Sequence, residues 1–167
     1  RADNVHVGAW SASDASSRTA WRTYSYRDIP DGGSYRLYLG LLDSGTVLLD
    51  DIRVIRDPDG DGTQLLTNGN FSAGLAGWSF EGTHYAEVVS DPENPGNPVL
   101  QLTASSHMTD NHNRLRGSMS RSSQSVEHEI SFRARWVSRT EEHTSELQSR
   151  TKIVSSSMIG KKRYYSN

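Results

Sequence analysis

Residues 126–137 read V-E-H-E-I-S-F-R-A-R-W-V, and this alternation constrains the fold more than any other stretch of the chain. Val126, His128, Ile130, Phe132, Ala134 and Trp136 fall on one side of an extended backbone, and Glu127, Glu129, Ser131, Arg133 and Arg135 on the other. Coiled into a helix, the same apolar side chains would be scattered around its circumference and find no common core. A strand buried on one face satisfies them, and such a strand needs a second layer to bury it. The rest of the chain agrees. Tyr35, Leu37, Leu39 and Leu41 share a face at period two, and residues 46–55 follow as a second strand after the turn Asp43-Ser44-Gly45, so residues 34–55 read as a β-hairpin. Shorter strands are expected at residues 4–10, 21–27, 78–80, 85–90 and 99–104, whereas residues 105–116 read as a polar loop. No window carries a 3.6-residue stripe. The 25 Ser and 14 Gly among 167 residues point the same way, because both disfavour helix interiors. The expectation is an all-β antiparallel sandwich.

Composition narrows the function. Cysteine is absent, which excludes disulfides, a thiol nucleophile and a cysteine zinc site. No run of 18 apolar residues exists, so no membrane-spanning helix is expected. A net charge of -2 gives no general electrostatic case for nucleic acid. There is no G-x-S-x-G elbow, Walker loop, dinucleotide fingerprint or H-E-x-x-H, and the chain is not expected to be an enzyme. Glu127 and Glu129 share a strand face with Arg133 and Arg135, which reads more simply as cross-strand ion pairing than as a glycosidase pair.

The acidic stretch at residues 56–63, R-D-P-D-G-D-G-T, interrupts the strands and marks a boundary. On its two sides the sequence resembles parts of a known family. Residues 64–80, Q-L-L-T-N-G-N-F-S-A-G-L-A-G-W-S-F, resemble the opening of bacterial jelly-roll carbohydrate-binding modules of the family 4/9 type, through Leu65, Leu66, Asn68, Gly69, Phe71, Gly77 and Trp78. Ser131, Phe132, Ala134 and Arg135 resemble a later strand of the same modules, with His128 where an aromatic is usual. Leu48-Leu49-Asp50-Asp51-Ile52 resembles their closing strand. The combination is similar to tandem jelly-roll repeats of very large secreted bacterial proteins, some with lamin-tail domains.

The resemblance implies a division of the chain. Residues 1–57 correspond to the C-terminal half of one module, residues 58–63 to a linker and residues 64–138 to the N-terminal half of the next. The two halves are expected to close on each other as a partial or circularly permuted jelly-roll-like sandwich. Residues 141–149, E-E-H-T-S-E-L-Q-S, resemble one translated frame of a common sequencing-library adapter, and nothing periodic follows. Residues 139–167 are therefore expected to be an artefactual, disordered tail. They hold six cations and three carboxylates, so the remaining 138 residues carry about -5.

By the same resemblance, the function is non-catalytic carbohydrate binding or surface attachment in a secreted or cell-surface bacterial protein, the partner being a polysaccharide or cell-surface glycan. The alternative is a structural spacer sandwich without a ligand. Trp10, Trp21, Tyr24 and Tyr26 are the candidate sugar-stacking residues, with cross-strand aromatic packing as the other reading. Trp78 and Trp136 are assigned to the core. The resemblance places a structural calcium at Asp50 and Asp51, and calcium takes hard oxygen ligands. Ser72 stands where the family often supplies a further ligand, and an Asp pair at an exposed strand end is the plainer alternative. Asp57, Asp59, Asp61 and Gly62 match the first half of a calcium loop, but position twelve is Asn68 instead of Glu. An acidic linker is the simpler reading. His107, Asp110 and His112 share one polar loop and are taken as surface residues.

Overall fold

The computed structural model describes residues 9–11, 20–30, 33, 35–41, 44–106, 112–123, 125–138 and 152–156. Eleven strands and no helix occur among them: β1 (Ala9–Ser11), β2 (Arg22–Asp28), β3 (Arg36–Leu41), β4 (Gly45–Arg56), β5 (Thr63–Gln64), β6 (Trp78–Glu81), β7 (His84–Ser90), β8 (Pro98–Ala104), β9 (Arg114–Ser118), β10 (His128–Ser138) and β11 (Lys152–Ser156). All pairings are antiparallel. One sheet has the order β1-β11-β3-β9-β6, and the other β2-β10-β4-β8-β7, with β5 pairing the end of β4. The expected all-β sandwich is the observed architecture.

Each sheet turns its apolar positions toward the other. Leu37, Leu39, Leu41, Leu115 and Trp78 from the first sheet meet Val47, Leu49, Leu100, Leu102, Ile130, Phe132 and Trp136 from the second in one buried cluster. Each such side chain is worth roughly 1.5–3 kcal/mol relative to exposure. In a chain without disulfides this burial is the main source of stability.

Strands from before residues 57–63 are interleaved with strands from after them in both sheets. β4 lies between β10 and β8, and β3 lies beside β9. Residues 34–55 do not form the expected hairpin. β3 and β4 are present, but they belong to different sheets and face each other across the core. Period two reports which face of a strand is buried, and it carries no information about the neighbouring strand. β9 replaces the expected loop at its C-terminal end. Its segment R-L-R-G-S has one apolar residue, Leu115, which is fully buried. The expected tail contributes β11, which pairs with β1 on one side and β3 on the other. Its Ile-Val pair favours extended backbone, and the edge of β3 offers unpaired amides and carbonyls to receive it. The rest of residues 139–167 lies outside the described residues, as do residues 4–8, His107 and Asp110.

The motif N-G-N-F at residues 68–71 anchors the layers. The Ile52 amide donates to the Gly69 carbonyl at 3.0 Å, and a Cβ on Gly69 would overlap the Ile52 carbonyl. Asn68 donates from Nδ2 to the Gly74 and Ala76 carbonyls and accepts at Oδ1 from the Ala73 amide, which holds the turn together. The Trp78 indole donates to the Asn68 carbonyl, and its ring packs 5.3 Å from Phe71. These residues are structural. No helix among the described residues is long and apolar enough to cross a membrane.

Candidate functional site

The site grows from an irregularity in β4. Asp50 stands opposite Arg133 of β10, and Arg53 opposite Ser131, so two residues of β4 face the single residue Phe132. This is a β-bulge, and its extra residue, Asp51, has φ +48°. Aspartate tolerates the left-handed region because its short carboxylate bonds locally. Here the Asp51 amide donates to Asp50 Oδ1 at 2.8 Å. The bulge changes the parity of the strand. Val47 and Leu49 face the core before it, and Ile52 and Val54 after it. Without it Asp51 would point into the core.

Asp50 lies on the outer face of the six-stranded sheet but is only 2% exposed. Loop 91–97, D-P-E-N-P-G-N, folds over it. Asp50 Oδ2 accepts from Asn97 Nδ2 at 3.1 Å and from Arg133 Nη1 at 3.3 Å, and Arg133 also approaches Asp51 at 3.6 Å. Asp91, equally buried, accepts at Oδ1 from the Trp21 indole at 3.2 Å and from the Glu93 amide at 2.9 Å. The Arg133 guanidinium lies 4.6 Å over the Trp21 ring. Arg135, two residues along the same face, pairs with Glu93 at 3.0 Å. Trp21, Asp50, Asp51, Asp91, Asn97 and Arg133 thus form one polar cluster around a half-buried indole.

The two buried carboxyls are driven apart. Burial raises the Asp50 pKa, and the bonds from Asn97 and the Asp51 amide do not offset it. Burial also pushes the Asp91 carboxyl upward, but bonds from the Glu93 amide, Trp21 and Asn97, with the Arg133 charge, outweigh it and leave the pKa lowered. Asp91 is the fixed anion of the cluster.

The sequence-derived residues therefore separate. Trp21, Asp50 and Asp51 come together. Tyr24 and Tyr26 pack against Phe132, at 5.6 and 6.5 Å between ring centroids, on the core side of β2. Trp10 lies on β1, in the other sheet. Trp78 and Trp136 are buried. The Asp50–Asp51 pair sits mid-strand, not at an exposed strand end. Arg133 lies against both carboxylates. Among the described residues no three acidic or histidine side chains converge on a metal position. In the acidic loop Asp59 binds Arg27 at 2.8 Å, and Asp61 binds Arg56 and Thr63. Glu129 pairs with Arg27 across the strands at 2.7 Å.

Sequence reasoning missed Asp91, Asn97 and the role of Arg133. They lie 41 to 83 residues from Asp50, and no spacing rule links them. Pro92 and Pro95 keep residues 91–97 out of a central strand, but they do not say which strands the loop covers. Exposed aromatics also arise elsewhere: Phe80 and Tyr85 meet edge-on at 5.0 Å beside the β6–β7 turn. Comparison of the chain with models of protein families, with curated proteins and with solved structures finds no match.

Proposed function

We propose that the chain is a non-catalytic carbohydrate-binding module that attaches a secreted or cell-surface bacterial protein to a neutral polysaccharide or cell-surface glycan. The observation that carries this reading is the polar cluster around Trp21. A sugar ring has apolar C–H faces and hydroxyls that both donate and accept. The cluster offers an indole for the first and, at its surface, the Asp51 and Glu93 carboxylates and the Arg133 guanidinium for the second. Its groups are held by one another and by the sheet, so little side-chain ordering remains for binding to supply. The resemblance of residues 64–80 and 126–137 to family 4/9-type modules supports the same reading.

The spacer reading is favoured by one observation, the packing of Tyr24 and Tyr26 onto the core. Affinity electrophoresis of the full chain through gels containing xylan, laminarin or galactan separates the two. Retardation by at least one of them, lost in a Trp21→Ala variant that still unfolds cooperatively, is the expected result. Equal mobility in every gel would leave the spacer.

A further inference from the structure

The chain holds two aspartate–proline bonds, Asp57–Pro58 and Asp91–Pro92. An aspartate carboxyl can close a five-membered ring on its own carbonyl carbon. Proline supplies a tertiary amide nitrogen, more basic than an ordinary peptide nitrogen and easier to expel once protonated. The fold treats the two bonds in opposite ways. The Asp91 carboxylate is occupied by the Trp21 indole and the Glu93 amide, and its carbonyl accepts one long bond, from the Asn94 amide at 3.3 Å. Asp57 directly follows β4, and its amide is fixed to the Glu127 carbonyl at 2.8 Å. Its carbonyl oxygen accepts from two amides at once, Gly60 at 3.0 Å and Gly62 at 2.9 Å. Gly60 also lies beside the Asp57 carboxyl, which a Cβ at that position would overlap. The carboxyl therefore folds back over the turn that holds its own carbonyl. Asp57 has φ +50°, a strained conformation for a residue with a side chain. On the far side of the bond, Asp59 is tied to Arg27.

We propose that Asp57–Pro58 is a self-cleavage site, at which the folded chain nicks itself in mild acid while Asp91–Pro92 stays intact. The Gly60 and Gly62 amides form an oxyanion hole for the Asp57 carbonyl, because donors at this distance hold an oxygen that gains negative charge. The carboxyls of Asp57 and Asp61 share a hydrogen bond, with one proton between them, and Asp61 is paired in turn with Arg56. An Asp57 carboxyl oxygen attacks the Asp57 carbonyl carbon and leaves that proton with Asp61. The tetrahedral oxyanion collapses, the carbon–nitrogen bond breaks, and the Pro58 nitrogen departs with the proton. The products are a cyclic anhydride at Asp57 and a free prolyl amine. One water then opens the anhydride to a C-terminal aspartate, so the net change is hydrolysis of one peptide bond. Scission also releases the strained φ of Asp57. Because β8 and β10 flank β4, the two pieces stay together as a nicked sandwich. The inference does not depend on the glycan reading.

The test is intact-mass spectrometry, run in denaturant, of the full chain held at pH 5 and at pH 7. Two fragments are expected, residues 1–57 and 58–167, whose masses sum to that of the chain plus one water. They should accumulate faster at pH 5, where the carboxyl pair gains its proton. In the same sample, scission at Asp57–Pro58 is expected to run at least about tenfold faster than at Asp91–Pro92. The chain unfolded in urea at pH 5 is the reference, and there the two bonds should break at similar rates. Asp57→Gly keeps the backbone conformation, removes the nucleophile and is expected to abolish the cut. Gly60→Ala pushes the carboxyl aside and is expected to slow the cut at least about threefold. The comparison of folded and unfolded wild type decides the matter if neither variant folds. No fragments at pH 5 would overturn the proposal. So would equal rates at the two bonds in the folded chain, or an undiminished cut in folded Asp57→Gly.

Discussion

At the scale of single residues, two buried histidines make the fold sensitive to acid. His84 is 1% exposed, and its Nε2 accepts from the Leu41 amide at 2.9 Å, which ties β7 of one sheet to β3 of the other. That bond requires the neutral ring, and Nδ1–H then faces Thr83 Oγ1 at 3.4 Å. Burial lowers the His84 pKa from 6.5 to about 4. His128 behaves alike: its Nδ1–H donates to the Val126 carbonyl, and burial is the main cause of its lowered pKa. The sign follows from linkage. Below pH 6.5 the unfolded chain takes up protons that the folded chain refuses, so stability falls with pH until the folded value is reached. At about 1.36 kcal/mol per unit, His84 alone accounts for a loss of about 3 kcal/mol between pH 7 and pH 4. Asp50 acts in the opposite sense, because its raised pKa lets the folded state take up a proton before the unfolded chain does. Comparing urea denaturation of the wild type and His84→Gln at pH 7 and pH 4 isolates the histidine. The variant is expected to lose less stability on acidification by that amount. An equal loss in both proteins would mean that His84 is not the group responsible.

At the scale of elements, the bulge in β4 decides both the core and the site. It rests on Asp51 at φ +48°, a conformation that suits glycine and is poor for a β-branched residue. Asp51→Gly and Asp51→Val both remove the carboxylate that approaches Arg133, so any difference between them reports the backbone. Valine is expected to be less stable than glycine by about 1–2 kcal/mol in chemical denaturation. Equal stabilities would show that β4 can run without the bulge. This device also marks where legibility ended. Strand β10 was legible because its alternation is unbroken over the eleven residues 126–136. Its partners were not, since alternation names a face and leaves the neighbour open. Strand β9 was hidden because a single leucine cannot establish a period. The parity change at Asp50–Asp51 was visible as an acidic pair inside an apolar strand, but a bulge and a metal pair look alike in sequence. Trp21 stood out in the sequence only as an aromatic that could stack on a sugar ring. Its partners Asp91, Asn97 and Arg133 become neighbours only through sheet order and the fold of loop 91–97.

At the scale of the whole molecule, the interleaving of strands matters more than any one contact. The central strand β4 belongs to the segment before the acidic loop, and its neighbours β8 and β10 to the segment after it. Leu37, Leu39 and Leu41 of the first segment are buried in one cluster with Leu115, Trp78 and Phe132 of the second. Removing either segment would expose the apolar face and the paired edges of the other, a cost that local structure within one segment does not offset. The two segments should therefore unfold together. The acidic loop between them is held from outside its own sequence, by Asp59 on Arg27 of β2 and by the Asp57 amide on the Glu127 carbonyl. Cutting it should leave the sheets in place. With a protease site introduced at residues 58–63, the cleaved chain is expected to co-migrate as one species in size exclusion and to separate only in denaturant. Before cleavage, tryptophan fluorescence and far-ultraviolet circular dichroism should trace a single coincident urea transition. Trp21 on one side of the loop and Trp78 and Trp136 on the other make fluorescence sensitive to both segments. Two transitions, or fragments that part without denaturant, would show that each segment carries a core of its own. The glycan-binding measurements would then have to be read for each segment separately.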